Sequence, residues 1–211
     1  MGSEDTLFYL VSGLVLGLSG GLAPGPLTAL VVSQTLRFGR REGMLVAFAP
    51  LITDGPLVIA AAWVLGRAAE MQSFLGALSL GGGAVLVWLA IDTWRAQEID
   101  VEAARTLAPG SIKKSVATNL LNPHPYLFWF VVGGPLVVRS WNHSVLSLVC
   151  FLAGFFGCLV GSKMAMAVVV SRVGGRLNSA GYRWTMRALG VALAVFAVMF
   201  VADGAGRLGW L

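Results

Sequence analysis

Charged residues are scarce in this sequence of 211 residues. Aspartate, glutamate, lysine and arginine make up 12% of the chain, whereas soluble domains carry about 25%. Hydrophobic residues make up 57%, above the usual ~45–50%. So few charges exclude a soluble globular surface. The composition therefore predicts an all-α integral membrane protein with a single membrane domain, residues 1–211.

Cysteine and histidine are also rare, with two of each. Cys150 and Cys158 lie in one apolar run, so they cannot build a disulfide framework, and neither stands at metal-ligand spacing from histidine or carboxylate. We expect no metal site and no cofactor. The net charge of +5 does not indicate a nucleic-acid partner, because the basic residues lie in short connections between apolar runs.

Six apolar runs are each long enough to cross a bilayer, which takes about 17–25 helical residues. They are residues 7–36, 44–65, 74–91, 115–138, 145–170 and 184–201. We therefore predict six transmembrane helices in contact with the lipid bilayer. The fourth is the least regular, because three prolines interrupt it.

Lysine and arginine are unevenly distributed among the connections. Eleven of the 15 fall in the first, third and fifth connections, and three lie on the opposite side. Short basic connections stay in the cytoplasm, so we expect both termini outside. The remaining cation, Lys163, lies within the fifth run.

One charged stretch divides the chain into two halves of three runs each. Residues 93–112 form this connection, between residues 1–92 and 113–211, and the charge distribution places it in the cytoplasm. Three crossings per half make any repeat an inverted one. A Pro-x-Pro sequence in the first run of each half, at 24–26 and 123–125, supports such a repeat.

Both Pro-x-Pro sequences are predicted to break the first helix of their half. A proline inside a helix lacks an N–H and clashes with the carbonyl four residues back. Free carbonyls cost several kcal/mol in lipid, so irregular backbone is expected around an interior cavity. Two discontinuous helices at matching positions indicate a transport site, although simple packing kinks are the alternative.

Two ionisable residues are expected inside the membrane. Asp54 lies in the middle of the second run, where a carboxylate costs at least ~2.5–3.5 kcal/mol and needs an interior cavity and a partner. Lys163 either joins that cavity or extends its ammonium group to the interface. Together they provide the two charges that bind a zwitterion, and Asp54 is also a candidate proton carrier.

The candidate substrate-binding or coupling residues lie at the two breaks or carry these charges. They are Gly20, Pro24, Gly25, Pro26, Asp54, Asn119, Asn122, Pro123, His124 and Lys163. The two asparagines offer uncharged donors and acceptors, and the histidine is either a functional titratable group or an ordinary loop residue. Glycines at four-residue spacing permit close helix contacts, within one chain or in a homodimer.

A family resemblance rests on several of these residues. Pro24-Gly25-Pro26, the basic sequence at 37–43, Asp54, and Asn122-Pro123 before an aromatic run resemble the lysine exporter (LysE-type) family of bacterial and archaeal amino-acid efflux translocators. His124 departs from the lysine that the family often has there. The resemblance extends over almost the whole chain.

The resemblance implies a secondary transporter in the cytoplasmic membrane of a prokaryote, not an enzyme. Its substrate is expected to be an amino acid or a related small zwitterionic metabolite, exported with the proton gradient or the membrane potential as the driving force. By motif, Pro24, Gly25, Pro26, Asp54, Asn122 and Pro123 carry over as pocket candidates.

Other functions stay open at this point. The alternative within transport is a metal ion or another small solute, and metal transport favours several intramembrane carboxylates or histidines. A thiol-redox carrier needs cysteines on facing helices. An intramembrane aspartyl protease needs a partner for Asp54, and Asp92 and Asp203 lie near span ends. A structural subunit leaves Asp54 and both breaks unexplained.

Overall fold

The computed structural model describes residues 2–23, 25–68, 72–95, 112–173 and 179–210. All regular secondary structure in these ranges is helical. In chain order the helices are α1 (Gly2–Leu22), α2 (Pro26–Phe38), α3 (Arg40–Ala47), α4 (Ala49–Ala68), α5 (Gln72–Trp94), α6 (Ile112–Leu121), α7 (Pro123–Phe128), a π-helix (Trp129–Gly133), α8 (Gly134–His143), α9 (Val145–Val173) and α10 (Ser179–Arg207). The predicted connection at 93–112 lies mostly outside the described residues.

Five helical stretches in the described ranges are long and apolar enough to cross a membrane. They are Glu4–Leu22, Arg40–Arg67, Gly76–Trp94, Val145–Arg172 and Arg187–Arg207. These confirm a multi-pass helical membrane protein. The predicted fourth run, 115–138, is not among them, because α6, α7, the π-helix and α8 share it.

The first predicted break lies between α1 and α2. Gly25 is extended there, with φ 177° and ψ 177°, and Pro26 occupies the first position of α2. Proline suits that position, because the N–H it lacks would have no helical acceptor. The run 7–36 is therefore two helices. Gly39, at φ 90°, then connects α2 to α3 with a backbone conformation that favours glycine.

The second break lies at Asn122, directly before the Pro-x-Pro sequence. Asn122 is extended, with φ −80° and ψ 123°, and its side-chain oxygen accepts a hydrogen bond from the backbone N–H of His124 at 3.1 Å. Asn122 is thus the N-cap of α7. Both prolines fall in the first turn of the new helix, where the missing N–H groups cost little.

Helix α1 runs alongside α9 in the same direction. Gly13 faces the backbone of Phe151, and Gly17 faces that of Phe155, too closely for a Cβ atom at either glycine. Small residues allow such close approach of membrane helices. Helix α2 continues along α9 beyond the break, with Val32 in one apolar cluster with Met166 and Val170.

The broken segment α6–α8 runs alongside α4, again in the same direction. Asn119 of α6 reaches Asp54, and further along Gly134 of α8 lies against Ala61 and Leu65. Helices α5 and α10 form an antiparallel pair, since Gly76 meets Leu208 at one end. This packing brings the two breaks towards one another in the interior.

Candidate functional site

A cavity of about 170 Å³ lies between the two breaks. Eight of the ten predicted site residues line it, namely Gly20, Gly25, Pro26, Asp54, Asn119, Asn122, His124 and Lys163. Pro24 lies outside the described residues, and the side chain of Pro123 is likewise not described. Lining residues outside the predicted site include Ser19, Thr28, Asp92, Thr93 and Phe155.

Asp54 is 5% exposed and belongs to a buried polar cluster. Its Oδ1 accepts a hydrogen bond from Asn119 Nδ2 at 3.0 Å and lies 2.9 Å from the hydroxyl of Thr53. Asn119 Nδ2 also donates to Thr53 Oγ1 at 2.6 Å. These donors stabilise a carboxylate that the bilayer centre would otherwise penalise. The cluster joins α4 to α6, one turn before the second break.

An aromatic cluster bounds the cavity beside Asp54. Trp129 is fully buried and packs against Phe128, Phe155 and Phe156, and two of these phenylalanines line the cavity. The Trp129 indole stands beside the Asp54 carboxyl group. Within the described residues, its Nε1–H has no hydrogen-bond partner of good geometry.

Lys163 is 3% exposed and points into the first break rather than towards the interface. Its Nζ donates to the carbonyl oxygen of Gly21 at 3.0 Å and to Thr28 Oγ1 at 2.9 Å. The Thr28 hydroxyl in turn donates to the carbonyl oxygen of Ala23 at 2.8 Å. An ammonium group has three donors, and the described residues accept two of them, so the third N–H of Lys163 is available to a ligand in the cavity.

The start of α2 adds positive potential to the first break. Gly25 supplies no side-chain cap, and residues 25–28 line the cavity. The first N–H groups of a helix lack intrahelical acceptors and carry the positive end of its dipole. Together with Lys163 they make this side of the cavity suitable for an anionic group. Ser19 Oγ, buried and without a partner among the described residues, also lines it.

The exposed part of the cavity is bounded by α5 and α7. Asp92 of α5 lines the cavity, is exposed, and forms no hydrogen bond or ion pair with the described residues. The His124 ring packs on the indole of Trp88 with centroids 4.8 Å apart. The sequence placed Asp92 at a span end, and only the packing of α5 reveals that it borders the cavity.

The described residues contain no group of three histidine, cysteine or carboxylate side chains that could hold a metal ion. Cys150 and Cys158 are both free, on the single helix α9. The ionisable residues that line the cavity include the buried Asp54 and Lys163 and the exposed Asp92 and His124. Such a set is suited to a small polar molecule with charges of both signs.

Discontinuous helices around a charged interior cavity, in a multi-pass helical protein, define a membrane transporter. The chain belongs to the LysE type translocator family, whose sequence profile matches residues 18–204. The family resemblance inferred from the motifs is thus confirmed. Translocation across a membrane, rather than an enzymatic reaction, is the activity of this class.

Curated relatives of the chain include several arginine exporters. The arginine exporter protein ArgO of Klebsiella pneumoniae (strain 342) is 29% identical over 214 residues, covering 95% of this chain and 96% of the relative. ArgO of Shigella flexneri is 30% identical over 211 residues, 93% and 94% of the two chains. ArgO of Escherichia coli (strain K12) is 35% identical over 137 residues, 61% and 63% of the two. No solved structure matches the chain.

Proposed function

We propose that this protein is a secondary transporter that exports amino acids from the cytoplasm across the inner membrane. The observation that carries the proposal is the pair of buried opposite charges, Asp54 and Lys163, which each lie beside one of the two helix breaks around one cavity. The names of the relatives, which are arginine exporters, favour a cationic amino acid such as arginine.

The two breaks would bind the two ends of the zwitterion. The α-carboxylate of the substrate fits the first break, where the free N–H of Lys163 and the start of α2 provide donors. The α-ammonium group fits the second, where the Asp54 carboxylate accepts hydrogen bonds. Lys163 and Asp54 then serve as binding residues rather than as an internal ion pair.

Asp92 is the proposed recognition site for a cationic side chain. Its carboxylate lines the exposed part of the cavity and has no partner among the described residues. A guanidinium group binds a carboxylate through two parallel hydrogen bonds. Asp92→Asn is therefore expected to lower arginine export by roughly tenfold while leaving alanine export near the wild-type rate.

We also propose that the halves 1–92 and 113–211 form an inverted repeat with six crossings and both termini outside. The packing supports this, because α1–α2 runs parallel to α9 just as α6–α8 runs parallel to α4. Alternating access would then arise from movement of one repeat against the other. Reporter tags at each end of the chain test the topology: a C-terminal tag accessible only from the cytoplasm contradicts it.

Asp54 is the proposed coupling residue for the proton gradient. It is a carboxylate in the middle of the span Arg40–Arg67 and borders the cavity, so protonation there changes the charge that the substrate meets.

The test uses liposomes loaded with arginine, lysine, alanine and glutamate. A pH gradient and then a membrane potential are imposed, and the loss of each solute is measured.

Wild type is compared with Asp54→Asn and with Glu4→Gln, a matched change at an exposed carboxylate. Selective, gradient-driven loss of amino acids that only Asp54→Asn abolishes is the expected result. Equal loss in all three proteins would leave transport intact and contradict the coupling role. No amino-acid loss from folded protein would contradict the proposed function and would favour the alternative, a metal ion or another small solute.

A further inference from the structure

A second concave surface lies on the outside of the α5–α10 pair, away from the cavity. This groove, of about 440 Å³, is lined by Ala90, Ile91, Trp94, Arg95, Gly190, Val191 and Ala194. At Gly190 the two helices approach closely, since a Cβ there would lie 3.1 Å from the carbonyl oxygen of Ala90. Small residues keep the groove open, and its walls are apolar.

The open end of the groove lies at a membrane interface. The span of α5 ends at Trp94, and the antiparallel span of α10 begins at Arg187. Arg95 lines the groove directly after the first span, and Arg187 lies one helical turn before Gly190, so both arginines lie at this end of the groove. The topology proposed above places this end on the cytoplasmic side.

Both guanidinium groups are available to a ligand. Arg95 and Arg187 are exposed, and neither side chain forms an ion pair with the described residues. The Arg187 guanidinium lies 5.9 Å from the ring centroid of Trp94 and 5.7 Å from that of Trp184. Tryptophan is typical of the headgroup region, so the surroundings suit a group held between lipid and water.

We propose that this groove binds an anionic phospholipid of the inner leaflet. Arginine pairs favourably with phosphate through its planar set of donors, and basic pockets between transmembrane helices on the cytoplasmic side bind anionic headgroups. The phosphate lies between Arg95 and Arg187, and one acyl chain follows the groove past Gly190 to Ala194. The site does not depend on the proposed transport function, but its assignment to the inner leaflet rests on the proposed topology.

The test is native mass spectrometry of the full chain, purified in detergent and exchanged with phosphatidylglycerol or with phosphatidylcholine of the same acyl chains. Wild type is expected to retain phosphatidylglycerol roughly thirtyfold better, from two arginines near the headgroup. The double variant Arg95→Gln with Arg187→Gln is expected to abolish this preference. Equal retention of the two lipids by wild type would overturn the proposal.

Arg67 provides a matched control. It stacks 4.1 Å above the ring of Trp63 on the same helix and is not one of the residues that line the groove. Arg67→Gln is expected to keep the lipid preference, and a loss as large as that of the double variant would refute a specific site.

Two further experiments distinguish binding of a lipid from binding of a free anion. Ala194→Leu fills the groove at an exposed position without changing the charge, and it is expected to lower phosphatidylglycerol retention severalfold. Unchanged retention would contradict the acyl-chain groove. Glycerol phosphate at the same concentration is expected to leave the bound lipid in place. If it displaces the lipid, the site binds anions alone and the proposal fails.

Discussion

The two helix breaks differ in the group that satisfies their backbone. Between α1 and α2, the carbonyl of Gly21 accepts a hydrogen bond from Lys163, a residue of the distant helix α9. Between α6 and α7, Asn122 caps the following helix with its own side chain. The first break therefore takes a hydrogen bond from a distant cation, whereas the second has a cap from its own sequence.

This difference gives the cavity its polarity. The first break combines an ammonium group with an uncapped helix start, and the second lies beside the carboxylate of Asp54. A pair of proline-induced breaks that look alike in sequence thus presents two opposite charges. A zwitterion carries the complementary arrangement of charges, which is the basis of the proposed mechanism.

Among changes at the two breaks, the largest effect on export is expected when the first break loses its cation. Lys163→Met removes the donor to the buried Gly21 carbonyl, so the free energy of unfolding should fall by about 1–3 kcal/mol. Arginine export should fall by roughly 10- to 100-fold, because the hydrogen bond to the substrate carboxylate is charge-assisted. Lys163→Arg, which keeps the charge, is the control. Wild-type export by Lys163→Met in liposomes would contradict this assignment.

A smaller effect is expected from the glycines that flank the first break. A Cβ at Gly21 would meet the side chain of Ser162 and lie 2.9 Å from the carbonyl oxygen of Leu159, whereas one at Gly25 meets nothing within 4 Å. Gly21→Ala should therefore destabilise the protein by about 1–3 kcal/mol, and Gly25→Ala should leave stability unchanged. Thermal unfolding in detergent compares them. Equal melting temperatures for the two variants would show that α1 and α9 are less closely packed at Gly21 than in this structure.

Removing the N-cap at the second break should lower the stability of the protein but change export little. Asn122→Ala deletes the side-chain acceptor for the His124 N–H, which costs about 1 kcal/mol. Asn122→Asp keeps an acceptor and should restore most of that stability. The free energy of unfolding of both variants checks this, and a larger loss in Asn122→Asp than in Asn122→Ala would argue against the cap.

The smallest change in export is expected from a substitution at the edge of the second break. The His124 ring packs on Trp88 and is exposed, so an aromatic replacement keeps the contact. His124→Phe should change arginine export by less than about twofold and leave its pH dependence unaltered. A shifted pH profile would instead make His124 a coupling residue.

Much of the fold follows from the sequence. Long apolar runs predict five of the helices correctly, because length and hydropathy decide what can cross a bilayer. Proline predicts both breaks, although the second lies at Asn122, one residue before Pro123, because prolines fit the first turn of the new helix. The π-helix Trp129–Gly133 was not predicted. In it the Gly134 N–H donates to the carbonyl oxygen of Trp129, five residues back, and the Trp129 side chain is buried.

The site was predicted less completely. The burial cost of a carboxylate placed Asp54 in an interior cavity, but its contact with Asn119 depends on how α4 and α6 are rotated. For Lys163 the sequence allowed either the interface or the cavity, and the contact with Gly21 on α1 decides for the cavity. Asp92 was assigned to a span end, because one sequence does not give the packing of α5 against the broken helices.

The most direct test of the opposite-charge account varies substrate and protein together. Export of arginine and of its decarboxylated analogue, which lacks the α-carboxylate, is measured for wild type and for Lys163→Met in liposomes. If Lys163 binds the carboxylate, Lys163→Met should lower the export of arginine by roughly tenfold or more. It should lower the export of the analogue by less than about twofold. An equal fractional loss with both substrates would show that Lys163 does not bind the substrate carboxylate, and would contradict the account.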